Sequence, residues 1–200
     1  MTMTAERLRE IYGSPSPRAA GKVIPRLDRH CRDFIAHSTF LVLATTDGHD
    51  LDVSPKGDPA GFVHVEDDTH LIVPDRPGNN RLDGLMNLLS DARVALLFLI
   101  PTVDETLRVN GHAEITEDQA LRELCQMNGR LPKTVLRVTV EEVFTHCGKA
   151  PLRAGLWAPG TWPEARPVAT LGEIVRDHAR LPVAETEQAA VDEMYRRTLY

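Results

Sequence analysis

Apolar residues recur along this chain with two different periods, and the change of period divides it. Near the N-terminus "TAERLREIYG" has helical spacing and stops at Gly13, and "SPSPRAAGKVIP" after it reads as a loop rich in Pro and Ser. In "RLDRHCRDFIAHS" the residues Leu27, Cys31, Phe34 and Ile35 fall at i, i+4, i+7 and i+8, one apolar face of a helix. From "TFLVLATT" onward the pattern becomes that of strands. "LDVSP", "GFVHVED" and "THLIVP" follow it, separated by "DGHD", by Lys56-Gly57-Asp58-Pro59 and by Asp67-Asp68. Connections this short do not allow crossovers, which predicts a meander of antiparallel strands.

The second half alternates helix and strand. "NNRLDGLMNLLSD" predicts a helix with Leu82, Leu85, Met86 and Leu89 on one side, and "ARVALLFLIP" a buried strand that is apolar on both faces. "ETLRVNGHAEIT" reads as a longer strand with Gly111 at a bulge or bend. "TEDQALRELCQ" reads as a helix with Thr116 as its N-cap, and "KTVLRVTVEEVFTHC" as a strand of clean alternation. Beyond it, "GKAPLRAGLWAPGTWPEARP" is a loop rich in Pro, Gly and Trp, followed by helices in "TLGEIVRDHA" and "TEQAAVDEMYRR". The sum is a mainly β, α+β chain: a small antiparallel barrel of six or seven strands with N- and C-terminal helical appendages. One domain over 1–200 is expected, with helices to 37, a barrel over 38–148, and a loop and helices over 149–200. "VALLFLI" is too apolar to leave either face in water, and an open barrel has edges to cover, so a symmetric dimer is expected.

Composition narrows the function more by exclusion than by indication. Two hundred residues suffice for a sizeable core, and the net charge of −6 argues against general nucleic-acid binding. Cys31, Cys125 and Cys147 are far apart and odd in number, as expected of reduced thiols rather than a disulfide framework. No cluster has zinc-ligand spacing, and no apolar run has signal-peptide or membrane-spanning character. The cytoplasm is the expected compartment, with no metal and no membrane partner.

The chemistry concentrates in "IVPDRPGNNRLDGL". A turn entering a helix presents unpaired N–H groups and the positive end of the helix dipole. Arg76 and Arg81 add forked donors that match phosphate oxygens, Asn79 and Asn80 can donate or support the turn, and Gly78 permits close approach. The competing reading pairs Asp75 with one of the arginines and makes Asn79 an N-cap. A second polar patch lies in "DVSPKGDPAGF", where Ser54 and Lys56 end a strand; its plain alternative is an exposed turn with a solvated lysine.

These residues carry a resemblance. The run from "TFLVLATTDG" through "SPKGDPAGFV", "PDRPGNNR" and "LRVNGHAEI" to "HCGKA" resembles the pyridoxamine 5′-phosphate oxidase-related FMN-binding split-barrel proteins, over roughly residues 30 to 160. The resemblance implies a split barrel that dimerises and holds FMN in grooves between subunits. It places Ser54 and Lys56 at the ring or ribityl edge, and Asp75, Arg76, Asn79, Asn80 and Arg81 in the segment holding the ribityl chain and phosphate. Arg108 would face the flavin, often from the opposite subunit, with His146 and Lys149 approaching it at a strand end. Trp157 is either a cap over the ring or plain packing. The tyrosine and serine-arginine-lysine residues of the true oxidase, and its C-terminal arginine-and-histidine element, have no counterpart here. That argues against oxidation of pyridoxamine phosphate.

With FMN bound, the flavin carries the redox chemistry and the protein supplies position and charge. Lys56 or Arg108 is the candidate cation for the flavin's N1–C2=O edge, and His146 a candidate proton donor or a structural hydrogen-bonder. Adjacent strand residues face opposite ways, so His146 and Cys147 cannot form a dyad. The expected function is a flavin-dependent oxidoreductase acting on a small molecule. The alternative is a flavin store, sensor or electron carrier without turnover, and a third reading replaces FMN with F420 or haem. No GxGxxG occurs, so a nicotinamide would bind only transiently.

Overall fold

The computed structural model describes residues 3–180 and 187–200. The predicted strands form, as β1 Phe40–Thr46, β2 Leu51–Gly57, β3 His64–Val65, β4 His70–Pro74, β5 Arg93–Leu99, β6 Thr106–Thr116 and β7 Val135–His146. All pairings are antiparallel, in the spatial order β2-β1-β5-β6-β7-β4-β3. This corrects the meander: β2 does not pair with β3, and β4 pairs with β7 instead. Short connections exclude a crossover helix but do not fix which strand is the neighbour.

The strand order shows why the sheet must curl. β2 and β3 are its opposite edges, yet only residues 58–63 join them. Seven flat strands about 4.8 Å apart would hold their edges roughly 29 Å from each other. The connection reaches about 25 Å at full stretch. The sheet therefore bends into an open barrel, with a split between β2 and the β3–β4 edge.

Register decides what lies inside. Leu41 and Leu43 of β1, Leu96 and Phe98 of β5, Leu107 and Val109 of β6, Val138 and Val143 of β7, and Leu71 and Val73 of β4 are buried on one face. Each such side chain contributes about 1.5–3 kcal/mol by leaving water. A bulge where Asn110 pairs with Glu142 but Gly111 with Val140 keeps Val140 and Val143 both directed to the core. Gly111 is required there, because an added Cβ would lie 1.9 Å from the Thr139 carbonyl oxygen.

Helices precede, interrupt and follow the strands. Among the described residues they are α1 Ala5–Tyr12, α2 Pro17–Gly21, α3 Arg29–His37, α4 Asp83–Ser90, α5 Gln119–Leu124, α6 Lys149–Ala154, α7 Leu171–Ala179 and α8 Gln188–Thr198. α3 docks through Cys31 and Ile35, joined by Leu27 just ahead of the helix as the spacing predicts, with Phe34 half-buried beside them. α2 and α6 form where loops were expected; Ser16 caps α2 and Pro17 starts it. Asp118 rather than Thr116 caps α5: its carboxylate accepts from the Leu121 N–H, while Thr116 ends β6. The predicted C-terminal helix opens at Thr186, which lies outside the described residues, and is present as α8.

One strand is inverted. Along β2 the apolar Leu51 and Val53 are 82% and 64% exposed, while Asp52, Ser54 and Lys56 point inward. The same outward face continues through Phe40 and Val42 of β1 and Leu97 of β5, which are half-buried or exposed. On α4, Leu88 is the buried residue; Met86 and Leu89 of the predicted apolar side remain exposed.

Candidate functional site

The polar inner face of β2 opens onto a groove of about 910 Å³. Its walls are β2, the segment after β4, the start of α4, and residues 130–134 ahead of β7. Ser54, Lys56, Asp75, Arg76, Asn79, Asn80 and Arg81 all line it. Arg108, His146 and Lys149 do not; they lie elsewhere on the chain.

The floor of the groove is a knot of buried charge. Arg76 Nε donates to Asp58 Oδ2 at 2.5 Å, and its Nη1 donates to the Cys125 carbonyl oxygen at 2.8 Å. The two side chains are only 15% and 2% exposed. Tyr200 donates its hydroxyl to Asp58 Oδ1 at 2.6 Å, with its ring 5.8 Å from the Arg76 guanidinium carbon. That hydrogen bond to the carboxylate raises the Tyr200 phenol above its usual range. Burial pushes the nearby Cys125 thiol up to about 11, so it stays protonated. Beside this knot, Lys56 Nζ donates to Asp75 Oδ1 at 2.9 Å across the split. Lys56 is thus neither at a turn nor freely solvated: β2 runs on through Pro55 and Lys56 to Gly57, an edge position that tolerates proline.

The rim is built differently. α4 begins at Asp83, not at Asn79, so residues 78–81 form a loop and Asn79 is not an N-cap. Asn79 Oδ1 accepts from the Arg81 N–H at 3.0 Å, and Asn80 and Leu82 take left-handed backbone conformations. This local side-chain bond replaces the helical start that periodicity predicted. Leu82 offers no capping side chain, so the opening turn of α4 keeps unpaired N–H groups at the groove wall. Arg81 is 71% exposed, with Asp83 at 2.7 Å as its partner, and that carboxylate raises the guanidinium pKa further.

Several lining residues escaped the sequence reading. Arg130, Lys133 and Thr134 come from "NGRLPKT", which separates α5 from β7 and is far in sequence from the arginine-rich loop. Two cations beside an Asn-Gly turn were the available signal. Tyr200 offered none. Trp157 donates its indole N–H to the Val103 carbonyl oxygen at 2.9 Å and does not line the groove. Glu66, Asp67 and His70 place ligand atoms within 4.8 Å of one another, but Glu66 is engaged by Arg137, and Asp67 by Thr69 and His70.

On the outward sheet face, Arg108 stacks on Phe144 with its guanidinium carbon 4.3 Å from the ring centroid. His146 lies 4.9 Å from the same ring. Burial first, then the charges of Arg108 and Lys22, hold the His146 imidazole below its usual pKa and therefore neutral at pH 7. Lys149 opens α6 beside the exposed Cys147, whose thiol it helps to lower.

The model of the family described as pyridoxamine 5′-phosphate oxidase matches residues 27–147, which contain all seven strands and all seven sequence-predicted groove residues. The chain belongs to that family. Its members bind flavins and are commonly dimeric. No curated protein sequence matches the chain. Solved structures similar to it include HupZ of Group A Streptococcus, at 22% identity and a TM-score of 0.48, covering 60% of this chain and 93% of that one. General Stress Protein 26 of Bacillus anthracis is 16% identical, covers 57% of this chain and 88% of that one, and has a TM-score of 0.45. A FAD-binding protein of Mesorhizobium loti is 17% identical, covers 62% and 96%, and has a TM-score of 0.41. No helix among the described residues is long and apolar enough to cross a membrane.

The donor set of the groove suits the phosphate of a flavin. A phosphate needs cations and N–H donors, found in Arg81, Lys133, Arg130 and the start of α4. The volume is within the range of small-molecule sites, and Leu43, Leu82 and Leu85 give it apolar lining.

Proposed function

We propose that this protein is an FMN-binding flavoprotein, working as a homodimer, and that it is an oxidoreductase acting on a small molecule. One observation carries the reading: the fold gathers Ser54, Lys56 and the Asp75–Arg81 loop around a single groove, although Lys56 and Asp75 lie 19 positions apart. When bound, the flavin supplies the electron-transfer chemistry.

The chain's own residues have separable roles. Arg81, Asn80 and the N–H groups opening α4 take the phosphate. Ser54, whose hydroxyl donates to Asp52 at 2.6 Å, and Lys56, held by Asp75, present polar atoms along the wall for the ribityl chain and ring edge. Arg76 holds the floor by closing the split against Asp58. Arg108, His146 and Lys149 of a second chain complete the site, consistent with an outward face that leaves Leu51 and Val53 in water. Val53→Asp should then shift the chain from dimer to monomer in sedimentation; a dimer unaffected by it contradicts this interface.

Pyridoxamine phosphate is not the proposed substrate, for the departure in the loop already described. A flavin carrier without turnover is the second reading, and one feature favours it: neither His nor Cys of the groove-forming chain lines the groove, so that chain's own residues supply no neutral-range proton donor. The test is the absorbance spectrum of the purified protein with its released chromophore identified by mass, followed by NAD(P)H oxidation. FMN with turnover supports the oxidoreductase, and FMN without it the carrier. Released F420 or haem, or a chain that takes up no FMN, overturns the cofactor assignment.

A further inference from the structure

A second concentration of positive charge lies outside the groove, at one end of β6 and β7. Arg108 pairs across the strands with Phe144, and Thr106 with His146, so Arg108, Phe144 and His146 share the outward face. Lys22 reaches the same place from a segment that precedes the family-matched region. An isolated bridge between Ile24 and Val143 lays that segment along β7. Lys22 Nζ donates to the Thr145 carbonyl oxygen at 2.6 Å and stands 5.4 Å from the centroid of the Phe144 ring. One aromatic ring thus carries Arg108 at 4.3 Å, His146 at 4.9 Å and Lys22 at 5.4 Å.

The charges in this cluster do not balance. Glu142 is the nearest carboxylate partner, at 3.4 Å from Arg108 Nη2, and it also accepts from Asn110 at 3.0 Å. Lys22 has no carboxylate at ion-pair distance among the described residues. Arg108 Nε is shielded from solvent and meets no acceptor. Stacking on Phe144 fixes the guanidinium plane while its outer nitrogens keep spare donors. In a chain of net charge −6, two fixed cations stand here with one long ion pair, that of Arg108 with Glu142.

We infer that Lys22, Arg108 and His146, arrayed around Phe144, form a second anion site that takes the phosphate or carboxylate of a small organic molecule. Arg108 and Lys22 supply charge and donors, and the His146 ring supplies one further N–H. The cluster stands on the contacts above, while the proposed function turns Arg108 and His146 of each chain toward the partner's flavin, so the two readings share those residues. Where both hold, the anion belongs to the molecule that exchanges electrons with the flavin.

The test follows the ring resonances of His146 by NMR while the full chain is titrated with phenyl phosphate, with benzyl alcohol as the uncharged control. The expected result is a saturable shift with phenyl phosphate alone, its affinity at least roughly tenfold weaker in Lys22→Gln and in Arg108→Gln. Lys22 is exposed, so its replacement leaves folding intact. No saturable shift, an equal response to benzyl alcohol, or undiminished affinity in Lys22→Gln overturns the site. Flavin absorbance of the same samples reports the groove separately. A colourless protein that keeps the Lys22-dependent response removes the flavin reading and retains this one.

Discussion

Arg76 and Arg81 sit five positions apart in one loop, yet the floor and rim of the groove use them for different purposes. Arg76 is enclosed, with Asp58, the Cys125 carbonyl and the Tyr200 ring around it. Arg81 stands in solvent with Asp83 as its ion-pair partner. A guanidinium already committed to a buried carboxylate has little left for a ligand, whereas a solvated one can exchange Asp83 for a phosphate at small cost. The same residue type in the same motif therefore holds the barrel together at one position and is free to recognise a ligand at the other.

The largest effect that would separate the two positions comes from Arg76→Ala. It strands Asp58 as an unpaired buried charge, and urea denaturation should show a loss of roughly 3–5 kcal/mol. A loss below about 1 kcal/mol would mean that the split is closed by something else. Arg81→Ala should leave stability within about 0.5 kcal/mol, as for an ordinary surface change. Its effect appears in binding: FMN affinity should fall roughly tenfold to a hundredfold, the worth of a charge-assisted hydrogen bond.

Tyr200→Phe is the finer probe of the floor. Losing the bond to Asp58 should cost about 1 kcal/mol at neutral pH. The folded phenol's pKa is raised, so the unfolded chain loses that proton first as pH climbs. The stabilisation from Tyr200 is therefore complete below the ordinary phenol range and declines through it, and the gap between wild type and Tyr200→Phe should narrow there. A gap that widens with pH would contradict the assigned donor. Smallest of all is the change at His146. Its imidazole should titrate below the usual value, and Lys22→Gln should move it upward, as followed by NMR.

Much of the barrel was legible in the sequence because burial is one-sided along most strands, and alternation records that directly. "TFLVLATT" and "VLRVTVEEV" announce their inner faces, and Gly111 announces its bulge. Strand order was not legible, since β4 finds β7 about 60 residues later through contacts that no local pattern records. β2 was shortened for a physical reason: its polar residues face the groove and its apolar ones face outward, which reverses the usual signal. The arginine-bearing loop was read as a helix start because Leu82, Leu85 and Met86 keep helical spacing. Asn79 and the left-handed residues Asn80 and Leu82 delay the helix until Asp83. Tyr200, which completes the floor, has no local motif to announce it, and Asp58, inside "SPKGDPAGFV", gives no local sign of its partner Arg76.

The central claim is that the rim loop grips the phosphate of a flavin, and a paired titration tests it most directly. FMN and riboflavin differ in the phosphate alone, so both are titrated into wild type and Arg81→Ala with folding verified. The account predicts that wild type prefers FMN and that Arg81→Ala loses this preference while its riboflavin affinity is unchanged. Equal FMN affinity in the two proteins would contradict it.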